Sequence, residues 1–482
     1  MSPSAPTAPS RRVLVLDDDP TGSQCVAGVD VVLTPEGATI AQALREPGST
    51  CFVLTNTRAL DEADAVAVNR RVLEDVIAAG VDPRGLHVVS RSDSTLRGHV
   101  ITEPSALADV LAAHDRDVDG ILFCPAMIEA GRLTEGGIHR ARIDGELVEV
   151  ASTPFAADAT FGYSRSDLAG FLEERSGGAV RAGDVLQVGL EDIRDGGVDR
   201  VTEILAAARE RQWIAVDAVE YEDMEVVVAA LARVEEQGHV LLTRCAPSFV
   251  RPLAGQHGAQ VLAAEDVPGD PSRSDHGLVV VGSHVPLTTR QLERLRGRGG
   301  IEELELEVPR LLDADSRRRH LDEVVAGARE ALERSEVVVS TSRDLVRNDS
   351  PDESLAIARS VSDAVVEVVQ QLRSSRPSWV VAKGGITSHE VAASGLQIRR
   401  AEVAGQFFPG QISLFDPIDA PEEVLGTPYV VFPGNVGGDD ALAEVVEVLA
   451  RAQAASAPAS IPNPATPDTT APDTTARGDH DE

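Results

Sequence analysis

The sequence predicts an α/β protein made of two α/β domains with largely parallel sheets. Short runs of β-branched and other apolar residues alternate with helical patterns along most of the chain. These runs are continuously apolar, which is typical of parallel strands that are buried on both faces. A length of 482 residues also fits two or three domains, because a domain commonly has about 150 residues.

The predicted strands of the first half are separated by helical segments, among them Leu60–Ala79 and Ile101–Ala113. These strands are Val13–Leu16, Val29–Leu33, Phe52–Thr55, His87–Ser90, Ile121–Pro125, Val185–Val188, Trp213–Val216 and Val240–Thr243. Those of the second half are Leu278–Gly282, Val337–Thr341, Trp379–Lys383 and Tyr429–Phe432. Helices are expected there near Thr288–Leu295, Arg318–Glu333, Glu353–Leu372 and Asp439–Arg451.

Composition shifts along the chain suggest the domain boundaries. We expect a disordered N-terminus at 1–11, a first domain at 12–256, a polar linker rich in Gly and Pro at 257–276, a second domain at 277–452 and a disordered tail at 453–482. Within the first domain, Arg132–Glu149 has the pattern of a hairpin excursion.

The charge balance excludes some classes of function. The chain has 44 Lys and Arg against 78 Asp and Glu, a formal net charge of −34, and Lys383 is its single lysine. Nucleic-acid binding is not expected, because it depends on clustered cations. No apolar run is long enough for a membrane span, and the first residues lack the apolar core of a signal peptide. The four cysteines lie in or beside apolar runs without CxxC spacing, so we interpret them as buried reduced thiols and expect a cytoplasmic protein.

Polar residues follow three predicted strands of the first domain. Asp17, Asp18 and Asp19 follow the first, and adjacent carboxylates repel one another unless cations or substrate hydroxyls share them. A plain turn with an Asp cap is the alternative for this DPTG segment. Arg58 follows a second strand, and the segment 91–99 (RSDSTLRGH) follows a third.

The 91–99 segment has the composition of a site for a small polyhydroxylated anion. Arginine binds both oxygens of a carboxylate, while Ser, Thr and Asp bind hydroxyls. Ser94 or Asp93 could instead cap the following helix. Gly131-Arg132 and His139-Arg140 either add arginines to the site or lie at the surface.

Glycine-rich turns follow three strands of the second domain, each at the start of a predicted helix. They are Gly282-Ser283-His284, Lys383-Gly384-Gly385-Ile386-Thr387-Ser388 and the segment 432–440 (FPGNVGGDD). Such turns let backbone N–H groups approach phosphate oxygens, so they predict a nucleotide site. Lys383 either serves this site or is a surface residue. Walker, GxGxxG, HExxH and GxSxG motifs and zinc-type Cys/His spacing are absent from the sequence.

The ordered set of these segments resembles the four-carbon acid sugar kinase family over residues 12–452. The set is LDDDPTGSQ, LTNTRAL, SRSDSTLRGH, the GRxTxxGxH pattern at Gly131–His139, DATFGY at Asp158–Tyr163, KGGITSHEVAASGL and FPGNVGGDDAL. The resemblance implies an N-terminal domain that binds a sugar acid and a C-terminal domain that binds a nucleotide. It implies ATP-dependent phosphorylation of threonate, erythronate or 3-oxo-tetronate, with ATP and Mg²⁺ as cofactors.

The residue patterns and the resemblance together give candidate site residues. Asp18, Asp19 and Asp93 would be catalytic. The substrate-binding residues would be Asp18, Arg58, Ser92, Asp93, Ser94, Thr95 and Arg97. The nucleotide-binding residues would be Ser283, Lys383, Gly384, Gly385, Ile386, Thr387, Gly434 and Gly437. No metal ligand is assigned. This chain reads DDDPTGS where many members read ADD-L/F-TGA, and GGIT where many read GGET or GGDT.

The sequence therefore predicts a kinase that acts on a terminal hydroxyl of a four-carbon sugar acid. A sugar-acid lyase, dehydratase or epimerase with a structural C-terminal domain is the alternative, and a non-catalytic metabolite sensor is a third. The expected partners are the sugar acid and ATP, without nucleic acid or membrane, and a homodimer is left open.

Overall fold

A computed structural model describes residues 11–19, 21–343 and 351–456. Strands and helices alternate through the first half of the chain. The strands are β1 (Arg12–Asp17), β2 (Val29–Val32), β3 (Thr50–Leu54), β4 (Leu86–Arg91), β5 (Gly120–Cys124), β6 (Arg132–Glu135), β7 (Ile138–Ile143), β8 (Glu146–Glu149), β9 (Leu186–Val188), β10 (Gln212–Val216) and β11 (Leu241–Cys245). The helices are α1 (Gly37–Ala43), α2 (Glu62–Ala78), α3 (Thr102–Ala112), α4 (Leu168–Arg175), α5 (Leu190–Arg194), α6 (Gly197–Ala207), α7 (Tyr221–Glu236) and α8 (Pro247–Leu253).

The second half continues the alternation and adds an antiparallel hairpin. Its strands are β12 (Leu278–Val281), β13 (Ile301–Leu306), β14 (Glu336–Thr341), β15 (Val380–Lys383), β16 (Arg400–Gln406), β17 (Ser413–Asp419) and β18 (Tyr429–Phe432). Its helices are α9 (Pro286–Arg298), α10 (Val308–Leu312), α11 (Ala314–Ala331), α12 (Pro351–Leu372), α13 (Gly385–Glu390) and α14 (Ala441–Ser456).

Both halves contribute to one 15-stranded sheet, in the order β13-β14-β12-β15-β18-β17-β16-β2-β3-β1-β4-β11-β5-β10-β9. In this sheet, neighbouring strands from β13 to β18 pair in parallel, and so do those from β2 to β9 in the order above. The β18–β17, β17–β16 and β16–β2 pairs that connect these two sets are antiparallel. Three reversals make the two parallel sets run in opposite directions. The predicted α/β class with two largely parallel units is confirmed.

The central strands form because their residues are apolar and buried on both faces. All of β12 (LVVV) and β18 (YVVF) is buried, as a strand covered by helices on both sides requires. Helix α2 shows the complementary pattern, with one apolar stripe facing the sheet and an N-cap at Asp61, whose side chain accepts from the Asp64 N–H.

Each predicted strand is present within two residues of its predicted bounds, and each predicted helix overlaps an observed one. Strands β13, β16 and β17 were not predicted. β13 (IEELEL) is rich in glutamate and lies at the edge of the sheet, and β17 contains Pro417, which argues against a central strand. The predicted hairpin at Arg132–Glu149 is a three-stranded antiparallel sheet, β6-β7-β8.

The predicted linker packs on the second half, where Leu262 and Val267 join its core. The ends predicted to be disordered lie largely outside the described residues, but α14 runs to Ser456, which corrects the expected start of the tail at 453. The four cysteines are free and buried, as interpreted from the sequence. Among the described residues, no helix combines the length and apolar character that a membrane crossing needs.

Candidate active site between the two halves

The polar loops of both halves line two adjoining cavities. The first, about 500 Å³ in volume, is lined by Arg58, Arg91, Arg132 and Asp93 among others, and we call it the arginine cavity. The second, about 550 Å³, is lined by the glycine-rich turns at Gly282, Gly384 and Gly434, and we call it the glycine cavity.

Asp19, Arg58, Asn435 and Val436 line both cavities. The two sets of parallel strands run in opposite directions, so in a flat sheet their carboxyl ends would lie at opposite edges. Because loops from both sets line adjoining cavities, the sheet must bend between them. The register shifts of the β16–β17 pair supply local bends there.

Two arginines share the three carboxylates at the end of β1, Asp17, Asp18 and Asp19. Arg58 donates to Asp18 (Nη2 to Oδ1, 2.5 Å) and to Asp19 (Nη1 to Oδ2, 2.9 Å). Arg91 donates to Asp17 at 2.5 Å. Burial raises the pKa of Asp17 to about 7 despite its Arg91 partner. The repulsion expected from the sequence is thus relieved by cations of the protein itself.

Asp18 and Asp19 differ in their access to the cavities. Asp18 has a side chain only 2% exposed, and its oxygens also accept from Arg58 Nε and from Ser92 Oγ at 2.9 Å. The side chain of Asp19 is 24% exposed at the junction of the cavities, and Thr21 donates to its Oδ1. Burial acts to raise the pKa of Asp19, but Arg58, assisted by Arg91 and Thr21, lowers it. Asp19 is therefore an ionised carboxylate within reach of a ligand.

The loop after β4 brings the predicted substrate residues together on one wall. Arg97 Nε donates to Asp93 Oδ2 at 2.8 Å, and the Thr95 hydroxyl donates to the same oxygen. Burial opposes ionisation of Asp93, but Arg58 and Arg97 hold its pKa well below its usual range. Asp93 and Ser94 line the arginine cavity, whereas Ser92, Thr95 and Arg97 do not.

His139 fixes the main chain of this loop. Burial lowers the pKa of His139 to about 4, so the ring is neutral at pH 7. Its Nδ1 lies 2.9 Å from the Thr134 hydroxyl and its Nε2 2.8 Å from the Ser94 carbonyl. The tautomer that bonds both partners donates from Nε2 to Ser94 and accepts at Nδ1 from Thr134. Tyr163 similarly donates to the Thr95 carbonyl at 2.7 Å.

Arg244 and Glu103 form a buried ion pair that supports Asp18 through Ser92, and the sequence patterns did not predict it. Arg244 at the end of β11 donates to Glu103 Oε2 at 2.6 Å and to Ser92 Oγ at 2.6 Å, and Ser92 in turn donates to Asp18. Thr57 donates to the other oxygen of Glu103 at 2.5 Å. Neither residue stands in a motif of its own, so the only signal was the position of Arg244 at a strand end.

The three glycine-rich turns converge on the glycine cavity. Gly384 has φ +128°, and a Cβ there would lie 3.0 Å from Thr387 Oγ1 and 3.1 Å from Ser283 Cβ. A Cβ on Gly434 would lie 2.9 Å from Ser283 Oγ. Ser283 therefore sits between the other two turns. Gly385, Ile386 and Thr387 line the same cavity, whereas Gly437 lines the arginine cavity.

Helix α9 supports the last of these turns. Gln291 donates from Nε2 to the carbonyls of Val436 (3.0 Å) and Gly438 (2.8 Å). Thr288 donates to Ser283 Oγ at 3.0 Å and also lies 3.3 Å from the Gly434 carbonyl.

Lys383 is placed differently from the prediction of a direct nucleotide contact. Its side chain is fully buried, and Nζ donates to the carbonyls of Pro433 (2.7 Å) and Gly434 (3.1 Å) and lies 3.9 Å from the Phe432 ring centroid. Burial lowers the pKa of Lys383 to about 7. The amine thus supports the glycine cavity from behind, because β15 directs its last side chain into the protein.

A metal site made by the protein alone is not present among the described residues, where no group of three or more His, Cys, Asp or Glu side chains could hold an ion. Mg²⁺ in kinases commonly takes only one or two carboxylates and completes its shell with phosphates and water. The carboxylates at the cavity junction, Asp18 and Asp19, are both paired with Arg58, so an ion there would be held mainly by phosphates and water.

Two family models match the chain. One, described as a sugar-binding N-terminal domain, matches residues 13–253, and the other, a nucleotide-binding C-terminal domain, matches residues 278–442. The chain therefore belongs to the four-carbon acid sugar kinase family.

One curated protein resembles the chain in sequence, and two solved structures resemble it in fold. A D-threonate kinase from Salmonella typhimurium strain LT2 is 28% identical over 324 residues, which cover 66% of this chain and 68% of that enzyme. A Salmonella typhimurium LT2 protein, provisionally described as a tRNA synthase, shares the fold with a TM-score of 0.65 at 16% identity, over 92% of this chain and 98% of its own. A Haemophilus influenzae protein gives a TM-score of 0.61 at 15% identity, over 92% and 100%.

Proposed function

We propose that this protein is an ATP-dependent kinase that phosphorylates a terminal hydroxyl of a four-carbon sugar acid of the threonate, erythronate or 3-oxo-tetronate type. The supporting observation is the pair of adjoining cavities, one rich in arginine and one walled by glycine turns, with Asp19 and Arg58 in both. Phosphoryl transfer requires two bound ligands that meet in line, and the shared wall provides the place for that meeting.

In this proposal the acid occupies the arginine cavity. Arg91 and Arg132 are the cations that can meet its carboxylate, and Ser94 and Gln24 can bond its hydroxyls. Arg58 stands at the junction, where it can neutralise charge that develops on the transferred group. The family resemblance implies that Arg58 binds the substrate, and this proposal places it at the transfer point instead.

Asp19 is the proposed catalytic residue that orients the attacking hydroxyl and accepts its proton. Asp18 is committed to Arg58 and Ser92, so its proposed role is to position Arg58. Asp93 is held ionised by Arg97 and by nearby Arg58, and its proposed role is to bind a substrate hydroxyl.

The nucleotide is proposed to lie in the glycine cavity, with its phosphates against Ser283, Gly384, Gly385, Thr387 and Gly434. Backbone groups can approach phosphate oxygens where side chains are absent. Ile386 would offer apolar contact, since its side chain is 65% exposed there. Mg²⁺ bound by the phosphates and water would neutralise phosphate charge.

A thermal-shift assay separates this function from the alternative of a lyase, dehydratase or epimerase. A ligand that binds only the native state raises the melting temperature, by an amount set by its concentration relative to Kd. We expect Mg²⁺-ATP to raise the melting temperature of the wild type and Gly384→Ala to abolish that shift. An acid that is consumed without ADP release, together with no shift by Mg²⁺-ATP, would support the alternative.

A further inference from the structure

The tip of the β16–β17 hairpin, Phe407–Ile412, belongs to the second half of the chain but lines the arginine cavity. Phe408, Gly410 and Gln411 form part of the cavity wall, opposite residues of the first half. The acid-binding cavity is therefore completed by the half that carries the nucleotide turns. Sequence patterns gave no indication of this wall, since neither strand of the hairpin was predicted.

Contacts with the first half hold the hairpin tip in place. Gln406 at the base donates from its side-chain amide to the Val26 carbonyl. Gly410 has φ +66°, and a Cβ there would lie 2.7 Å from Glu129 Cγ and 3.1 Å from Cys25 Sγ. This approach leaves no room for a side chain, so the tip is pressed directly on Glu129.

Glu129 is itself a fixed support. Ser248 donates to its Oε2 at 2.5 Å, Arg251 donates to Oε1 at 2.5 Å, and the Tyr221 hydroxyl also donates to Oε1. Burial opposes the ionised form, but these donors lower the pKa of Glu129. Its carboxylate is thus occupied by the protein and provides a rigid floor for the tip.

Gln411 is the residue of this tip that can bond a ligand. Its side chain is half-buried at the cavity and makes no hydrogen bond to any part of the chain that the structure describes. The other polar residues that line this cavity are mainly charged, and the arginines among them are the proposed partners of the acid's carboxylate and of the transferred group. A primary amide both donates and accepts, which suits a neutral hydroxyl or keto oxygen.

We propose that Gln411 is a specificity-determining residue that bonds a hydroxyl or keto oxygen on the carbon chain of the acid, while Phe408 bounds the space for that chain. This inference rests on the proposed function, because it takes the arginine cavity as the acid site.

Isothermal titration calorimetry with D-threonate, L-threonate, D-erythronate and L-erythronate tests the inference without nucleotide. For the acid that the wild type binds best, we expect Gln411→Ala to weaken binding by roughly three- to tenfold, which is the effect of one hydrogen bond. It should also reduce the preference among the four acids. Gln411→Glu keeps the size of the side chain but loses the amide donors, and should weaken binding at least as much.

The control is Gln42→Ala, an exposed glutamine on α1 that lines neither cavity, with expected wild-type affinity. The Michaelis constant for ATP should stay within twofold of the wild-type value in both Gln411 variants, because Gln411 is proposed to contact only the acid. A residue with a purely structural role would weaken the binding of both ligands.

Unchanged affinity and unchanged acid ranking in Gln411→Ala, beside acid-dependent ADP release by the wild type, would overturn this inference alone. A rise in the Michaelis constant for ATP as large as the loss of acid affinity would overturn it as well, since the substitution would then have disturbed the structure of both sites. A wild type that binds none of the acids and releases no ADP would overturn the proposed function, and the inference with it.

Discussion

Neighbouring aspartates in this protein have different environments. Asp17 is fully buried with one oxygen lacking a partner, Asp18 is occupied by Arg58 and Ser92, and Asp19 alone is partly exposed at both cavities. Adjacent residues of this turn are buried to different extents. The sequence could therefore indicate the cluster of aspartates but not which of them is accessible to a ligand.

Replacement of Asp19 by asparagine should separate chemistry from binding. We expect Asp19→Asn to lower kcat by about 10²- to 10⁴-fold, the usual contribution of a general base, with a smaller change in the Michaelis constant for the acid. Steady-state kinetics with both substrates varied gives the two constants. Asp199→Asn, whose side chain is 89% exposed, is the matched control and should behave as the wild type. A kcat within threefold of the wild type would exclude Asp19 as the base.

Lys383 should make a measurable contribution to the pH dependence of stability. Its pKa is lowered from 10.5 to about 7, so between these values the unfolded chain binds a proton that the native protein does not. Stability from this residue is therefore present above pH 10.5 and is lost as the pH falls through 7.

Urea unfolding at pH 7, 8 and 9 tests this expectation. The free energy of unfolding of the wild type should rise relative to that of Lys383→Met as the pH rises, with a slope approaching one proton. Arg318→Met, at an arginine whose side chain is 80% exposed, controls for the loss of a positive charge. Parallel pH curves for the wild type and Lys383→Met would show that the amine is protonated in the native state.

At the level of elements, the site depends on glycine turns that follow parallel strands and on one antiparallel hairpin. The turns were predictable, because glycine after an apolar run is a local signal. The hairpin was not: β16 (RAEVAGQ) mixes polar and small residues, and β17 contains a proline. One of its strands, β16, pairs with β2, which is distant in sequence, so no local pattern could reveal that the hairpin walls the arginine cavity.

The turn at Gly384 provides the prediction at this scale. Gly384→Ala forces a side chain into a positive-φ position against Thr387 and Ser283, so it should destabilise the protein by more than about 1 kcal/mol. It should also weaken ATP binding far more than acid binding. Gly297→Ala in α9, where a Cβ meets open space, is the control and should be neutral or stabilising. Equal losses of both ligands would indicate global damage.

At the level of the whole molecule, two domains share one sheet. The β2–β16 pairing joins the halves through four residue pairs from Arg400–Val32 to Val403–Val29, and the Gln406–Val26 bond reinforces it. The sequence indicated two α/β units and the order of their sites, but it could not show that one ladder connects them. The net charge of −34 does not argue against anionic ligands, because anions are proposed to meet arginines that line a cavity between the halves.

The shared ladder predicts cooperative unfolding. We expect differential scanning calorimetry to give a single transition whose calorimetric and van't Hoff enthalpies agree, as for a two-state unit. Gln406→Ala should lower the temperature of that transition without splitting it. Two resolved transitions in the wild type would show that the halves are thermodynamically independent despite their paired strands.

Phosphorus NMR of the reaction mixture tests the central claim most directly. Wild-type protein with Mg²⁺-ATP and D-threonate, or a stereoisomer or 3-oxo analogue of it, should produce ADP and an equal amount of a new phosphomonoester, and Asp19→Asn should produce neither at a comparable rate. Consumption of an acid without any phosphomonoester, or release of inorganic phosphate in place of it, would contradict the account.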